Sequence, residues 1–534
     1  MSRIRAGEGL LRSDSKSPES DESPRVKLIF AGLMVAMLIA ALDQTIVATA
    51  LPTIVGDLKG LGRLSWVVTA YLLTSTASAP LYGKISDLYG RKKIFLGAIV
   101  VFLLGSALSG LAQSMNQLIA FRALQGLGAG GLIVLATTII GDIVPPRDRG
   151  KYQGLFGAVF GVASVAGPLV GGWLVQGPGW RWVFYVNVPI GVVALVIISI
   201  ALKESKGGLK YQVDYLGALL AVAAISTLLL VTVWGGSTYA WLSWQIGLLL
   251  AFGILLVLTF VYRESSAPDP ILPLRLFKNK VFATANTASF IVGAAMFGAI
   301  IYLPTYLQIV RGVSPATSGL LLLPLMGGLL FSSIGSGLII SKIGRYKAFP
   351  IAGTAVMTLG MYLLSTLGIH SSYLRATLYM ATVGIGIGMV MQVLVLAVQN
   401  AVGLKDMGVA TSSATFFRSM GSAFGTAIFG SILTTRLAYN LKLVLPKNVT
   451  FEKLSGAITG SPEQLKLLPT AIHNAAVEAF VKSLHTVYLA AVPVAVLGFI
   501  VTLVLPEIKL RKSVDTLGDK ESTTSTVEKS LGTL

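Results

Sequence analysis

The sequence predicts an all-α membrane protein in which two six-helix bundles flank two inserted helices, giving fourteen transmembrane helices. Three observations support this fold class. The 534-residue chain is 54% hydrophobic and only 12% charged, with a mean hydropathy of +0.77, well above a typical soluble domain. Its apolar stretches have the length of about 20 residues that crosses a bilayer as a helix. Short charged turns separate them, as expected if backbone polar groups inside hydrocarbon must be satisfied within helices.

One of these turns, residues 83–93 (GKISDLYGRKK), recurs in the second part of the chain. Three residues of the turn recur 254 positions later: Gly83 as Gly337, Gly90 as Gly344 and Arg91 as Arg345. Two glycines outside the turn recur at the same offset, Gly167 as Gly421 and Gly171 as Gly425. Ser341 replaces Asp87, which we expect to pair with Arg91 or to accept hydrogen bonds from a helix N-terminus. Two separate matches at one offset indicate a duplicated half.

The apolar stretches divide into six, two and six. We predict the first six helices at about 28–52, 65–83, 94–113, 116–141, 153–175 and 183–202, and the inserted pair at about 214–234 and 244–262. We predict the second six at about 282–308, 315–340, 350–367, 374–401, 411–435 and 485–505. The N-terminal bundle therefore covers residues 28–202, the inserted helices with their linkers 203–281, and the C-terminal bundle 282–505.

The remaining segments are predicted to be two tails and one long loop. Residues 1–27 are mostly polar and predict a disordered tail, and residues 506–534 form a second tail. The loop 436–484 is too polar to span, although its part 463–483 has the apolar spacing of an amphipathic helix. It is either a packed external hairpin or, alternatively, a lid or an element that contacts lipid.

Basic residues predict the orientation. The loops on one side, which we call the basic side, hold 18 lysines and arginines: 83–93, 142–152, 203–213, 263–281, 341–349 and 402–410. The short loops on the opposite side hold four. Because cytoplasmic loops carry the excess of positive charge, we expect both termini in the cytoplasm and a multi-pass protein of the cell membrane.

The composition also excludes several function classes. A net charge of +19 would suggest nucleic-acid binding in a soluble protein, but here the basic residues concentrate in membrane-side loops, so we expect no nucleic-acid partner. The chain has no cysteine, and its three histidines lie in or beside loops of the side opposite the basic side. No metal cluster and no nucleophile with an activating base can be assembled. We therefore expect no enzyme activity, no metal and no cofactor.

Asp43 is the carboxylate that falls inside a predicted span, where a charge is costly and marks a candidate functional site. It lies nine residues, about 14 Å, from the outer end of its helix, and Arg122 lies six residues, about 9 Å, from the outer end of the fourth. Arg418 lies too near the basic side to reach it. Asp43 and Arg122 therefore form the candidate couple.

Three roles remain open for this couple. Burial favours protonated aspartate and a close guanidinium favours the ionised form, so a small movement of Arg122 could load or release a proton at Asp43. Alternatively, the two side chains form a permanent ion pair that only joins two helices. Asp43 could also bind a cationic substrate directly, together with proton exchange.

The fifth helix carries a dense series of glycines: Gly154, Gly157, Gly161, Gly167, Gly171 and Gly172. Small residues four apart permit close helix contact, and Pro168 weakens the local backbone ladder. Static packing explains any single pair of glycines. The series with Gly-Pro favours a bending or sliding surface.

Several stretches together resemble a known family. These are residues 42–52 (LDQTIVATALP), 83–93, 118–128 (LIAFRALQGLG), 154–172 (GLFGAVFGVASVAGPLVGG), 180–191 (WRWVFYVNVPIG) and 417–421 (FRSMG). They resemble the motifs of the major facilitator superfamily, specifically its fourteen-helix drug:proton antiporters. Three positions depart from those motifs: Ala48 replaces an asparagine, Leu88 a basic residue and Ala163 a glycine.

The resemblance, over about residues 28–505, implies a major facilitator fold and export driven by proton entry through a cavity of alternating access. Asp43 and Arg122 would couple protons, Gly83, Asp87, Gly90 and Arg91 would form the gating motif, and Gly167, Pro168, Gly171 and Gly172 the antiporter motif. We predict a proton-coupled multidrug efflux transporter, conferring antibiotic resistance, for lipophilic compounds, cationic ones included. Its partners would be a small lipophilic substrate, protons and membrane lipid, and it would act as a monomer. The alternative is an exporter of lipids or other amphipathic solutes on the same fold.

The substrate cavity is sketched from polar and aromatic residues inside apolar helices. The candidates are Tyr71, Tyr302, Tyr306, Gln392 and Arg418. For the uncharged members, an interface anchor or an interhelical hydrogen bond is an equal alternative.

Overall fold

The computed structural model describes residues 24–58, 63–203, 214–236, 238–444 and 469–510. The first half contains α1 (Pro24–Leu58), α2 (Leu64–Tyr89), α3 (Arg91–Gly110), α4 (Met115–Ile143), α5 (Arg149–Gln176), α6 (Trp182–Tyr185) and α7 (Asn187–Ala201). The inserted helices are α8 (Tyr215–Trp234) and α9 (Trp244–Ser266). The second half contains α10 (Lys280–Ile300), α11 (Leu303–Arg311), α12 (Pro315–Leu320), α13 (Leu323–Ile343), α14 (Ala348–Ser365), α15 (Tyr373–Asn400), α16 (Met407–Val444) and α17 (Thr470–Val504).

These helices account for the fourteen predicted segments. Across the described residues, eleven segments are long and apolar enough to cross a membrane. The other three, α2, α10 and α16, also have the length of a span. The all-α fold class is therefore confirmed.

Three predicted helices are each broken in two, so the prediction of unbroken helices at 183–202, 282–308 and 315–340 is wrong in this detail. In each case the first piece ends four residues before a proline: Tyr185 before Pro189, Ile300 before Pro304 and Leu320 before Pro324. A proline lacks the amide hydrogen and its ring clashes with the carbonyl four residues earlier. The helix therefore stops and restarts at these points.

Helix ends extend beyond three predicted boundaries. α1 begins at Pro24, so residues 24–27 belong to a helix and not to the predicted tail 1–27. The predicted loop 436–484 is helical up to Val444 and again from Thr470. The rest of both segments lies outside the described residues.

The two extensions flanking that loop are joined to each other. Asn440 Nδ2 donates to Ser483 Oγ at 2.9 Å, and residues 470–483 of the predicted amphipathic segment 463–483 are the first part of α17. Both helices therefore extend into the predicted loop, where a side-chain hydrogen bond joins them.

The described start of the C-terminal tail packs against the second half. Tyr346 Oη donates to the carbonyl of Pro506 at 3.0 Å, and the amide of Leu510 donates to the carbonyl of Gly344 at 3.1 Å. The tail is therefore fixed to the basic side of the second half, at least up to residue 510.

The hydrophobic cores follow the two halves. Two buried clusters lie wholly within residues 29–202, and a third lies wholly within residues 276–510. A small fourth cluster joins Ala221 and Ile225 of α8 to Ala77 of α2 and Met420 of α16. The inserted pair thus packs beside the junction of the halves, and α9 presents many exposed apolar side chains.

The halves meet mainly through α2 against α16 and α5 against α13. Backbones touch where side chains would not fit: a Cβ on Gly150 would lie 2.8 Å from the Gly337 carbonyl oxygen, and one on Gly83 would lie 2.6 Å from that of Gly408. Because all four glycines lie near the basic-side ends of their helices, this side of the molecule is closed by direct backbone contact.

Candidate functional site

Asp43 is completely buried in α1 and holds three side-chain partners. Arg122 Nη1 lies 2.6 Å from Oδ2, Gln125 Nε2 lies 2.8 Å from Oδ1, and Asn187 Nδ2 lies 3.0 Å from Oδ1. Three separate elements, α1, α4 and α7, therefore converge on one carboxylate, and charge-assisted hydrogen bonds of this kind are the strong ones.

Arg122 is held as firmly as its partner. It is 1% exposed, it donates to Gln125 Oε1 at 2.7 Å, and its guanidinium lies 4.1 Å from the centroid of the Tyr71 ring. Residues 122 and 125 share a helix face because they are three positions apart. The cation–π contact adds a stabilising term that a lysine would reproduce only in part.

Asn187 links the carboxylate to a second layer. Its Nδ2 also lies 3.1 Å from Ser106 Oγ, which in turn donates to the carbonyl of Phe184 at 2.8 Å. Asn187 is the first residue of α7, so the break that Pro189 imposes places its side chain in the core. The carboxylate, the guanidinium and their neighbours form one buried hydrogen-bond network.

The structure brings Asp43 and Arg122 together, as the depth estimate required. It also adds Gln125 and Asn187, which the sequence analysis did not single out. Both lie inside motifs that were identified, and both are amides in apolar helices. That combination would have been a usable signal, because a buried amide needs a polar partner.

The gating motif forms an ion-pair cluster at the basic-side end of α2. Asp87 pairs with Arg91, and Arg91 Nε lies 2.7 Å from Asp142 Oδ2 at the end of α4. Gly90 has a φ of +95°, which lets the chain turn directly from α2 into α3. Asp87 also lies beside Gly408 in the first turn of α16, where the N-terminal dipole favours an anion.

The second half meets the first through a different arrangement of charge. Ser341, the counterpart of Asp87, donates to Asp148 Oδ1 at 3.1 Å. Arg147 Nε and Nη2 donate to the carbonyls of Ser341 and Lys342 at 2.8 and 2.6 Å. The acid that α13 lacks is thus supplied by the loop before α5, and an arginine caps the end of α13.

The antiporter motif lies along the contact between α5 and α1. A Cβ on Gly171 would lie 3.1 Å from the carbonyl oxygen of Ile46, and one on Gly167 would clash with Thr45. Thr45 Oγ1 donates to the carbonyl of Ala163 at 2.9 Å. Gly172 has open space around its Cα, so close contact explains Gly167 and Gly171 but not Gly172.

The cavity candidates fall into two groups. Tyr71 belongs to the Asp43 network, and Tyr306 Oη donates to the carbonyl of Gly368 at 3.0 Å inside the second half. Tyr302 packs against that same core. Gln392 instead reaches Gly157 of the first half. Arg418 lies eleven residues, about 16 Å, into α16, a helix that contacts α2 and α4 of the first half.

An exposed carboxylate lies at the opposite end of α1. Asp57 Oδ2 accepts from Trp180 Nε1 at 2.8 Å and from Arg181 Nη1 at 3.1 Å. These two donors hold the pKa of the Asp57 carboxyl below its usual value. Within the described ranges, no group of histidine, aspartate and glutamate side chains could hold a metal ion.

Comparison with known proteins gives consistent matches over most of the chain. The family model for the Major Facilitator Superfamily matches residues 33–426. The chain is 39% identical to the multidrug transporter protein MdtP of Bacillus subtilis over 536 residues, covering 96% of this chain and 99% of the relative. It is 44% identical over 503 residues to an uncharacterised MFS-type transporter of Mycobacterium tuberculosis, covering 93% of this chain and 72% of the relative.

Solved structures share the fold at low sequence identity. The human organic anion transporter MFSD10 covers 89% of this chain, with all of its own length matched, at a TM-score of 0.60 and 14% identity. The proton:xylose symporter XylE covers 91% of this chain, with 97% of its own length matched, at a TM-score of 0.61 and 15% identity.

Proposed function

The chain belongs to the Major Facilitator Superfamily, a family of membrane transporters and not of enzymes, and we propose that it is a proton-coupled multidrug efflux transporter of the cell membrane. The observation that carries this proposal is the buried Asp43 with its arginine, glutamine and asparagine partners. The names of two Bacillus subtilis relatives, multidrug transporter protein MdtP and multidrug resistance protein 3, which is 36% identical, support the substrate class. The transporter acts as a monomer with both termini in the cytoplasm. It uses the proton gradient as its energy source and needs no cofactor.

Asp43 supplies the proton site. When a proton from outside reaches the carboxylate, the ion pair with Arg122 loses its electrostatic component, and Gln125 and Asn187 lose a charged acceptor. Arg122 is then free to reorient against Tyr71. Because α1, α4 and α7 all hold the carboxylate, protonation loosens contacts among the three helices at once.

Proton and substrate drive transport by favouring opposite access states. In the structure the basic side, which we assign to the cytoplasm, is closed by the Gly83–Gly408 and Gly150–Gly337 contacts. The protonated carboxylate favours opening of this side, where a drug enters from the cytoplasm and the proton leaves. The drug-bound, deprotonated protein returns and releases the drug outside.

Growth inhibition tests this proposal. A panel of lipophilic inhibitors is applied to an efflux-deficient bacterial host that expresses the wild type, Asp43→Asn or Asp57→Asn. The wild type and Asp57→Asn, an exposed carboxylate on the same helix, should raise inhibitory concentrations for several compounds. Asp43→Asn should match the empty vector while inserting at a normal level.

Cells that express the wild type should accumulate less of each exported compound than cells with the empty vector, and a protonophore should abolish this difference. Resistance that survives both the Asp43→Asn substitution and the protonophore would contradict proton coupling. Protection against no compound, with changed membrane lipid composition on expression, would favour the alternative function, export of lipids or other amphipathic solutes.

A further inference from the structure

A layer of polar side chains closes the basic side between the halves. Gln399 Nε2 donates to Thr411 Oγ1 at 3.0 Å and to the carbonyl of Thr137 at 3.1 Å, and Gln153 Nε2 lies 3.5 Å from Gln399 Oε1. α4 and α5 of the first half are thereby joined to α15 and α16 of the second. We call this layer the floor, because it separates the basic side from the part of the junction that lies deeper between the two halves.

Two polar side chains lie directly above this floor. Gln392 precedes Gln399 by seven residues on α15, and Arg418 follows Thr411 by seven residues on α16. Seven residues are almost two whole helical turns, so each keeps the face of its partner in the floor and lies about 10 Å deeper in the membrane. The two helices pack against each other, so Gln392 and Arg418 face the same space.

Contacts from neighbouring helices surround both positions. A Cβ on Gly157 of α5 would lie 3.7 Å from Gln392 Cγ, so this side chain extends across the junction toward the first half. On α16, Gly421 contacts α10, and Met420 packs against α2 and α8. Arg418 shares the helix face of Thr411, its backbone lies against Gly293 of α10, and its side chain is partly exposed.

Neither side chain has a polar partner among the described residues, although Gln392 is only 5% exposed. Ser333 Oγ of α13, which is also adjacent to Gly157, is buried and has no hydrogen-bond partner among the described residues. The carboxylates that the structure describes inside helices are engaged elsewhere. Asp43 pairs with Arg122, Asp87 and Asp142 with Arg91, Asp57 with Arg181 and Glu478 with Lys482, and Glu264 accepts from backbone amides. A guanidinium at mid-membrane depth is costly without an anion or water around it.

We infer that Arg418 and Gln392 bind the carboxylate of an acidic amphipathic substrate, so that this transporter prefers lipophilic monoanions. This inference rests on the proposed export function and narrows its substrate class, which the sequence alone had extended to cations. A planar guanidinium binds a carboxylate with two parallel hydrogen bonds, and an amide adds a third donor. One positive charge matches one negative charge, which favours a carboxylate over a dianionic phosphate.

Binding to purified protein in phosphatidylcholine nanodiscs tests the inference. The probes are 11-(dansylamino)undecanoic acid and its primary amide, which differ only in the headgroup, and empty nanodiscs provide the background. The wild type should bind the acid about tenfold more tightly than the amide, since the charge-assisted contacts are lost with the amide. Arg418→Gln should remove that preference by weakening the acid alone.

Two further variants separate charge from folding. Arg418→Lys keeps the positive charge but loses the two parallel hydrogen bonds, so it should retain only part of the preference. Arg436→Gln removes an exposed arginine from the same helix and should match the wild type. Equal binding of acid and amide to the wild type, or a preference that survives Arg418→Gln, would overturn the inference.

The comparison of acid and amide binding by the wild type needs no variant. It therefore tests the preference for an anion even if Arg418→Gln fails to insert. Asp43-dependent export of neutral compounds together with equal binding of both probes would overturn this inference and leave the proposed function standing. Loss of export itself would instead count against the proposed function.

Discussion

At the scale of single residues, the Asp43 network is the most specific feature of the chain. Its two charged members followed from the sequence, because few charges lie inside the spans and helix depth selected Arg122 over Arg418. The neutral members did not follow, because a hydrogen bond from Gln125 or Asn187 depends on the rotation of α4 and on the break before α7. The position of a residue along a predicted helix gives its depth in the membrane but not the direction of its side chain.

We expect the planar shape of the Arg122 guanidinium to matter for transport as much as its charge. Arg122→Lys keeps a cation near Asp43 but loses the simultaneous contacts to Gln125 and Tyr71, since an ammonium cannot reproduce a planar guanidinium. We expect proton-coupled transport in vesicles to fall about tenfold while drug binding stays within about twofold, because contacts that change during the cycle are lost. Arg63→Lys, an exposed position on the opposite side, is the control. Normal transport by Arg122→Lys would show that charge alone suffices.

At the scale of helices, the sequence predicted the spans well and their interruptions poorly. Pro189, Pro304 and Pro324 each follow a helix end by four residues, yet Pro80, Pro168 and Pro493 lie inside unbroken helices. A proline inside a span is tolerated where surrounding groups satisfy the backbone atoms that it frees, so the residue type alone does not predict a break. The dense glycines of α5 predicted a bending or sliding surface, which stays a prediction, and the structure shows close contact with α1 at Gly167 and Gly171 but not at Gly172.

Alanine substitutions along α5 should separate those glycines. Gly167→Ala and Gly171→Ala place a methyl group against Thr45 and Ile46, so α1 and α5 must move apart at a cost of about 1–3 kcal/mol. Gly172→Ala meets open space and should behave as the wild type. Thermal melting of the purified variants and drug efflux from cells provide the two measurements. Equal damage at all three positions would show that flexibility of α5, and not its contact with α1, is the property that matters.

At the scale of the whole molecule, the 254-residue offset relates two halves that pack against each other on the basic side. The acidic residues at both of these contacts belong to the first half. Asp87 faces the start of α16 directly, whereas Ser341 uses Asp148 from the other half. The duplication was readable from the sequence because glycines persist where backbones meet. The compensating Asp148 was not, because it lies outside the repeated motif and acts across the junction.

Opening of the basic side should follow from one added side chain. Gly337→Val places a branched group against the carbonyl of Gly150 and should disfavour the closed arrangement, while Gly335→Val on the same helix meets nothing within 4 Å. With a cysteine introduced at Ser333 as reporter, an impermeant maleimide added from the cytoplasmic side should react about tenfold faster in Gly337→Val, as expected for a shift of about 1.4 kcal/mol in the closing equilibrium. The chain has no cysteine of its own to interfere. Identical rates in the two valine variants would show that these glycines do not hold the gate.

The most direct test of proton coupling uses purified protein in liposomes with a pH-sensitive dye inside. A compound identified by the growth panel is supplied together with an imposed pH gradient, and drug and proton fluxes are recorded at once. The wild type should move the drug uphill with a matching opposite flux of protons. Asp43→Asn should show neither, yet still exchange labelled for unlabelled drug at equilibrium. Uphill drug transport by Asp43→Asn with its proton flux intact would contradict the assignment of Asp43 as the proton site.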